Sequence, residues 1–197
     1  MHQWQAGALV QTPVAFLVPA TVTSGTYRLV AGLLDPLTGA KQLPVTLGET
    51  VIAQRVANFT PPSPPIPLTD AIQFGTHVRL LGYDLQQVDQ QLDLALYWQV
   101  LQPLVPAHHL FVHLDNAAGV TLDQADGAPQ TAAGPAPTGS WQAGEFLITN
   151  HRLDSPNLAD ATLVLRLGLY EPQTQVRLPL TLAGNPAGDA FVIELVP

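Results

Sequence analysis

Cysteine is absent from this 197-residue chain, which excludes disulfides, thiolate metal sites and a cysteine nucleophile. Charge is scarce as well. Asp, Glu, Lys and Arg make up 11% of the residues, where an ordinary globular chain carries about 25%. Lysine occurs once, at Lys41, and 7 basic residues stand against 15 acidic ones for a net charge of −8. That field repels phosphate backbones and anionic lipid headgroups, so nucleic-acid binding and electrostatic membrane docking are not expected. No run approaches the roughly 20 apolar residues of a membrane-spanning helix. The stretch from Ala8 to Ala20 is too broken by Gln11, Thr12 and Pro13 to read as a signal peptide, and no Lys or Arg precedes it.

What the chain does contain is apolar residues, at 47%, together with 19 prolines and 15 glycines. The first figure is enough to bury a core, which excludes general disorder. The prolines and glycines leave few windows in which a helix of ordinary length could form.

The sequence repeats itself. Trp4-Gln5-Ala6-Gly7 returns as Trp141-Gln142-Ala143-Gly144, and Thr12 and Pro19 match Thr149 and Pro156 in register. After a one-residue slip, Gly32-Leu33 matches Gly168-Leu169, Pro36 matches Pro172 and Thr38 matches Thr174. Lys41 then falls opposite Arg177 and Gly48 opposite Gly184. Residues 1–59 and 141–197 therefore read as two copies of one supersecondary unit. Between them, residues 60–68 form a proline-rich, semi-rigid linker. Residues 69–197 read as a complete domain, and residues 1–59 as the C-terminal half of a second one.

Period-two alternation dominates the second unit. Leu92, Leu94, Leu96, Trp98 and Val100 share one face, as do Leu110, Val112 and Leu114, and Leu163, Leu165, Leu167 and Leu169. Phe191, Ile193 and Leu195 repeat the pattern, and further strands are expected at 76–82, 119–125 and 145–153. In the first unit strands are expected near 8–17, 26–34 and 51–57. Short strands at this spacing predict an all-β, antiparallel β-sandwich of immunoglobulin-like or jelly-roll-like form, preceded by a partial second copy. Residues 126–140, rich in Gly, Pro, Ala and Thr, read as a long surface loop.

The densest chemistry lies in His108-His109-Leu110-Phe111-Val112-His113-Leu114-Asp115. On a strand, His109, Phe111, His113 and Asp115 share a face. A closed metal site there would need further ligands, such as Asp123 or Asp126, from a neighbouring strand. The leading reading is instead a hydrogen-bonded cluster of His113 with Asp115 or Asp126 that ties strands together without metal. A His–Asp pair also fits acyl transfer, but Ser140 and Ser155 lie in proline-containing loops without a nucleophile elbow. Asp84, Asp89 and Asp93 lack the spacing of a calcium loop, and no phosphate-binding glycine loop is present. Trp98 belongs to an apolar face and Trp141 repeats Trp4, so both are expected to pack. Tyr97 and Phe111 face the other way and offer a surface on which a sugar ring could stack.

These motifs carry a resemblance. Leu80-Leu81-Gly82-Tyr83-Asp84, Tyr97-Trp98-Gln99, Phe111-Val112-His113-Leu114-Asp115, Gly119, Gln124-x-Asp126 and Pro129 come in order. Pro137-Thr138 before Trp141, Gly144-Glu145 and Gly168-Leu169-Tyr170 close the series. The pattern resembles the β-sandwich domain found, often in tandem, C-terminal to the membrane region of protein-mannosyltransferase-like prokaryotic glycosyltransferases. The match covers residues 70–197, and its second half covers 1–59. The resemblance implies an extracytoplasmic accessory module without the catalytic membrane part, with neither catalytic residues nor a cofactor. Tyr97, Phe111, His113, Asp115, Gln124 and Asp126 are the residues expected to touch a ligand, if one binds. The expected partner is a saccharide or another protein domain, with self-association through residues 1–59. A saccharide-binding module and a small metal-dependent hydrolase are the alternative functions.

Overall fold

The computed structural model describes residues 18, 22–53, 55–155 and 162–195. The repeated Trp4-Gln5-Ala6-Gly7 and the strand expected near 8–17 lie outside the described residues. The chain is nearly all β, and its strands pair antiparallel. Two strands make an N-terminal hairpin, β1 (Gly25–Leu34) and β2 (Lys41–Ile52). Then come β3 (Ile66–Phe74), β4 (Val78–Val88), β5 (Gln91–Val100), β6 (His109–Asn116) and β7 (Thr121–Gln124). A short pair, β8 (Gln130–Thr131) and β9 (Gly134–Pro135), precedes a 3-10 turn at Thr138–Ser140. The last strands are β10 (Phe146–Asp154), β11 (Leu163–Tyr170), β12 (Leu180–Leu182), β13 (Asn185–Pro186) and β14 (Phe191–Leu195).

Two sheets face each other. One has the order β10-β5-β4-β3-β12-β13 and the other β14-β11-β6-β7. Alternation on β5, β6 and β11 places Leu92 to Val100, Leu110 to Leu114 and Leu163 to Leu169, taken every second residue, between the sheets at 0–1% exposure. This is the core that the period-two pattern predicts. Trp98 lies in it, with its ring 5.9 Å from Phe74.

The structure departs from the expected strands in four places. In the hairpin, β2 runs from Lys41 to Ile52, not over 51–57. β3 begins at Ile66, inside the stretch read as linker, with Pro67 paired to Gly82. Pro64 lies against the same glycine: a Cβ at position 82 would come within 2.6 Å of its ring. The proline segment is thus seated on the sheet, and the glycine makes room for it. Third, β12 crosses to the six-stranded sheet and pairs with β3; Val176, Leu178, Leu180 and Leu182 alternate along this stretch, but alternation does not say which sheet a strand joins. Finally, the 126–140 stretch is no loose surface loop. Ala136 and Thr138 are fully buried, the Thr138 hydroxyl bonds both N and O of His108, and Trp141 Nε1 donates to Ala136 O at 2.7 Å.

The repeat is visible as matched geometry. After β1, Asp35 N donates to Ala40 O and Gly39 N to Asp35 O. After β11, Glu171 N donates to Val176 O and Gln175 N to Glu171 O. These are the same positions, 136 residues apart, and the left-handed residue recurs too: φ is 69° at Gly39 and 61° at Gln175. Thr38 Oγ1 and Thr174 Oγ1 each accept from the backbone two residues on.

Candidate functional site

Five of the six sequence-selected residues belong to the outer side of the four-stranded sheet. There β6 turns His109, Phe111, His113 and Asp115 away from the core. Asp115, 2% exposed, accepts from Arg166 Nε across the β6–β11 pair and from Thr121 Oγ1 at 2.7 Å. Burial works to raise its carboxyl, but the hydrogen bonds from Arg166 and Thr121 outweigh that and hold it below the ordinary range. His113 Nε2 lies 3.2 Å from the Asp126 carboxylate, which also accepts from Val112 N at 3.3 Å. The His113 contact is therefore with Asp126, while Asp115 is taken by Arg166. Gln124 pairs with His113 in the β6–β7 ladder and is exposed.

Phe111 corrects the expectation of an exposed ring: it is 2% exposed. The Arg177 guanidinium stacks 4.2 Å above its centroid, and Gly168 gives the ring its seat. A Cβ at position 168 would come within 2.7 Å of the Phe111 ring and 2.8 Å of Asp189 O. The covering segment comes from some 60 residues further along the chain, so strand alternation alone could not reveal it. What remains is a hollow of about 60 Å³ lined by Phe111, His113, Asp126, Tyr170, Gln175 and Arg177. It has room for roughly two waters.

Tyr97 stands apart from the other five. It is half-buried on the outer side of the opposite sheet, opposite Gly82 on β4 and Ile148 on β10. Farther along the same side, Asp84, Gln86, Asp93, Asn150 and Arg152 line an open hollow of about 490 Å³. Arg152 grips Asp93 with two bonds, 2.6 and 3.1 Å, and this pairing lowers the Asp93 carboxyl. Gln86 Nε2 donates to Asp84 at 3.3 Å.

Sequence reasoning missed two long-range clusters. Glu145 is fully buried and accepts two bonds from Arg55, which also donates to Ser140 O at 3.2 Å. This ion pair fastens the segment after the hairpin to the sandwich across 90 residues of sequence. The second cluster is a chain in the core. Trp98 Nε1 donates to Thr149 Oγ1 at 3.0 Å, and that hydroxyl lies 3.1 Å from His151 Nε2. Burial pushes His151 down to about 4 against a smaller opposing pull from Asp126, so its imidazole is neutral at pH 7. Thr149 Oγ1 accepts from Trp98 and shares a second hydrogen bond with the His151 imidazole. A hydroxyl beside a histidine has the outline of a nucleophile and its base, yet Thr149 is 0% exposed beneath Trp98.

Among the described residues, no three or more His, Asp or Glu side chains are placed to hold a metal ion. Nor is any helix among them long and apolar enough to cross a membrane. No family model, curated protein or solved structure matches the chain.

Proposed function

We propose that the chain is a non-catalytic β-sandwich module that serves as a stalk or interaction surface. The observation that carries this reading is where the reactive side chains go. Asp115, Asp126, His113, Glu145 and His151 each make a contact within the fold. Of the nineteen large exposed apolar side chains among the described residues, in contrast, eight lie on the short hairpin: Val30, Leu33, Leu34, Leu37, Leu43, Val45, Leu47 and Val51 are 49–94% exposed. An apolar surface of that kind marks a contact site. The resemblance to domains that follow the membrane region of glycosyltransferases adds an extracytoplasmic setting to the proposal, which fractionation of the native protein would test. The test of the non-catalytic reading is a panel of ester, peptide and glycoside reporter substrates. No turnover is expected. Turnover abolished by His113→Gln or Asp126→Asn would overturn the reading.

A second reading is favoured by one observation, the open hollow farther along the outer side of the sheet that carries Tyr97. Its carboxylate and amide groups lie on the same side as the ring, and its volume is that of a small-molecule site. Titration with soluble glycans, followed by NMR, should then move the Asn150 and Gln86 side-chain amides. Tyr97→Ala should abolish the shift.

A further inference from the structure

The two copies of the repeat give the hairpin a template. β1 matches β11, so Tyr27, Leu29, Ala31 and Leu33 stand where Leu163, Leu165, Leu167 and Leu169 stand in the sandwich. β11 is an interior strand with two neighbours, β14 and β6. The turn after β11 returns on the β14 side, since β6 is paired along the other side as far as Tyr170. The matched turn after β1 brings β2 back on the corresponding side. Among the described residues β1 pairs with β2 alone, so the edge that β6 fills on β11 is open on β1.

The two outer edges of the hairpin are built differently. β2 carries both irregularities of the pairing: Leu29–Val30 on β1 spans Gly48 to Thr46, and Ala31–Leu33 spans Val45 to Gln42. It also carries Pro44 and Lys41. Bulges, proline and lysine are the devices that stop an edge from pairing. β1 contributes no extra residue to either bulge and has neither proline nor lysine, Arg28 being its one charge. One edge is blunted, and the other is left fit to pair.

We propose that β1 pairs antiparallel with β1 of a second copy of this chain, about a two-fold axis at Val30. This rests on the reading of the hairpin as the interaction surface and names its partner. A two-fold contact offers each copy the same edge that it lacks. The resulting sheet, β2-β1-β1-β2 across the pair, has four strands, as the β14-β11-β6-β7 sheet has. In it β1 becomes an interior strand like its match β11. The register centred on Val30 sets Leu29 opposite Ala31 and Tyr27 opposite Leu33, apolar against apolar. Arg28 falls opposite Gly32, as Phe111 falls opposite the matching Gly168, and no like charges meet.

The absence of cysteine makes a direct test available. In the full chain, Val30→Cys should link into a covalent dimer on oxidation, while Leu37→Cys, at the exposed turn, should not. Sedimentation of the unmodified chain at micromolar concentration should give a dimer. Leu33→Glu should weaken that dimer at least tenfold and leave the thermal melt of the sandwich unchanged, because Leu33 is 49% exposed and outside the core. A monomer at every concentration would overturn the proposal. So would a dimer that Leu33→Glu leaves intact and Val30→Cys does not link. A monomer whose β1 amides exchange slowly would show that the edge is covered from within one chain, which also overturns it. None of these readouts depends on catalysis or saccharide binding, so this proposal can fail while the non-catalytic reading stands.

Discussion

β1 and β11 are one strand written twice, and they meet different fates. Leu165, Leu167 and Leu169 are fully buried between two sheets, while the matching Ala31 and Leu33 are exposed and Leu29 is only half-buried. The turns that follow are the same to the level of individual hydrogen bonds. Local sequence therefore sets the strand and its turn in both copies. What the surrounding chain supplies sets the rest. In the second copy, Leu178 still donates to Leu169 O on β11, and from Leu180 the chain has crossed to β3. In the first copy β1 pairs, among the described residues, with β2 alone, and the chain stays beside it as the long β2. A strand's length and its second neighbour are thus tertiary properties, even where its turn is local.

The largest effect should come from truncating the buried copy and its exposed match in parallel. Trp98→Ala should cost about 3–5 kcal/mol, and Leu165→Ala about 2–5 kcal/mol, through lost transfer energy and the cavity left behind. Leu33→Ala, at the position matching Leu169, should change stability by no more than about 0.5 kcal/mol. Denaturant unfolding of the three variants measures this. Equal losses at Leu165 and Leu33 would mean that the hairpin's apolar face is covered in solution by more than the strand pairing at its edge.

The join between the copies comes next. Arg55→Ala leaves Glu145 buried without its cation, and breaking a buried pair costs about 3–5 kcal/mol. The Arg55 side chain is 23% exposed, so the loss should fall at or below the lower end of that range. Glu145→Gln with Arg55→Ala should recover part of it. A melt unchanged by Arg55→Ala would show that the hairpin and sandwich are joined by other contacts.

Much of the second copy was legible because every second residue is leucine or another large apolar side chain, and a half-buried strand needs no more than that. The burial of Phe111 was not legible, since Arg177 and the residues that follow it cover it from far along the chain. Asp115 read as a ligand contact, yet its partner Arg166 lies 51 residues away and reaches it only through the β6–β11 register. Tyr97 and His113 both face outward, but alternation does not say from which sheet. Leu43, Val45 and Leu47 alternate along β2, but Pro44 and Gly48 stand between them as residues that ordinarily interrupt a strand, and the two register shifts that accommodate them show only in the pairing with β1.

Acid should separate the copies through His151. Its folded value of about 4 lies below the unfolded value of about 6.5, so the neutral form is the one the fold holds. The stability it contributes is fully present above about pH 6.5 and is lost as pH falls toward 4, by up to about 3 kcal/mol. His151→Gln should flatten the dependence of the melting temperature on pH in that window. The hairpin's Asp35, held low by hydrogen bonds from Leu37 and Thr38, should keep its stabilising contribution down to the ordinary carboxylate range and lose it only as pH falls below that. An unchanged slope in His151→Gln would move the acid sensitivity elsewhere.

The smallest effect tests the matched turns themselves. Gly39 and Gln175 occupy the same left-handed position, one as the residue suited to it and the other not. A non-glycine residue there carries roughly 1–2 kcal/mol of strain. Gly39→Gln should therefore weaken the hairpin by about 1 kcal/mol, read as faster amide exchange over residues 25–52. The reverse change is not its mirror. Gln175→Gly relieves the strain, but it adds about 0.5–1 kcal/mol of unfolded-state entropy and removes the bond from Gln175 Nε2 to Pro172 O. Its net effect on the melt should lie within about 0.5 kcal/mol of zero. If Gly39→Gln leaves exchange in the hairpin unchanged, the β1 turn does not need its left-handed residue, and the equivalence of the two turns fails at that point.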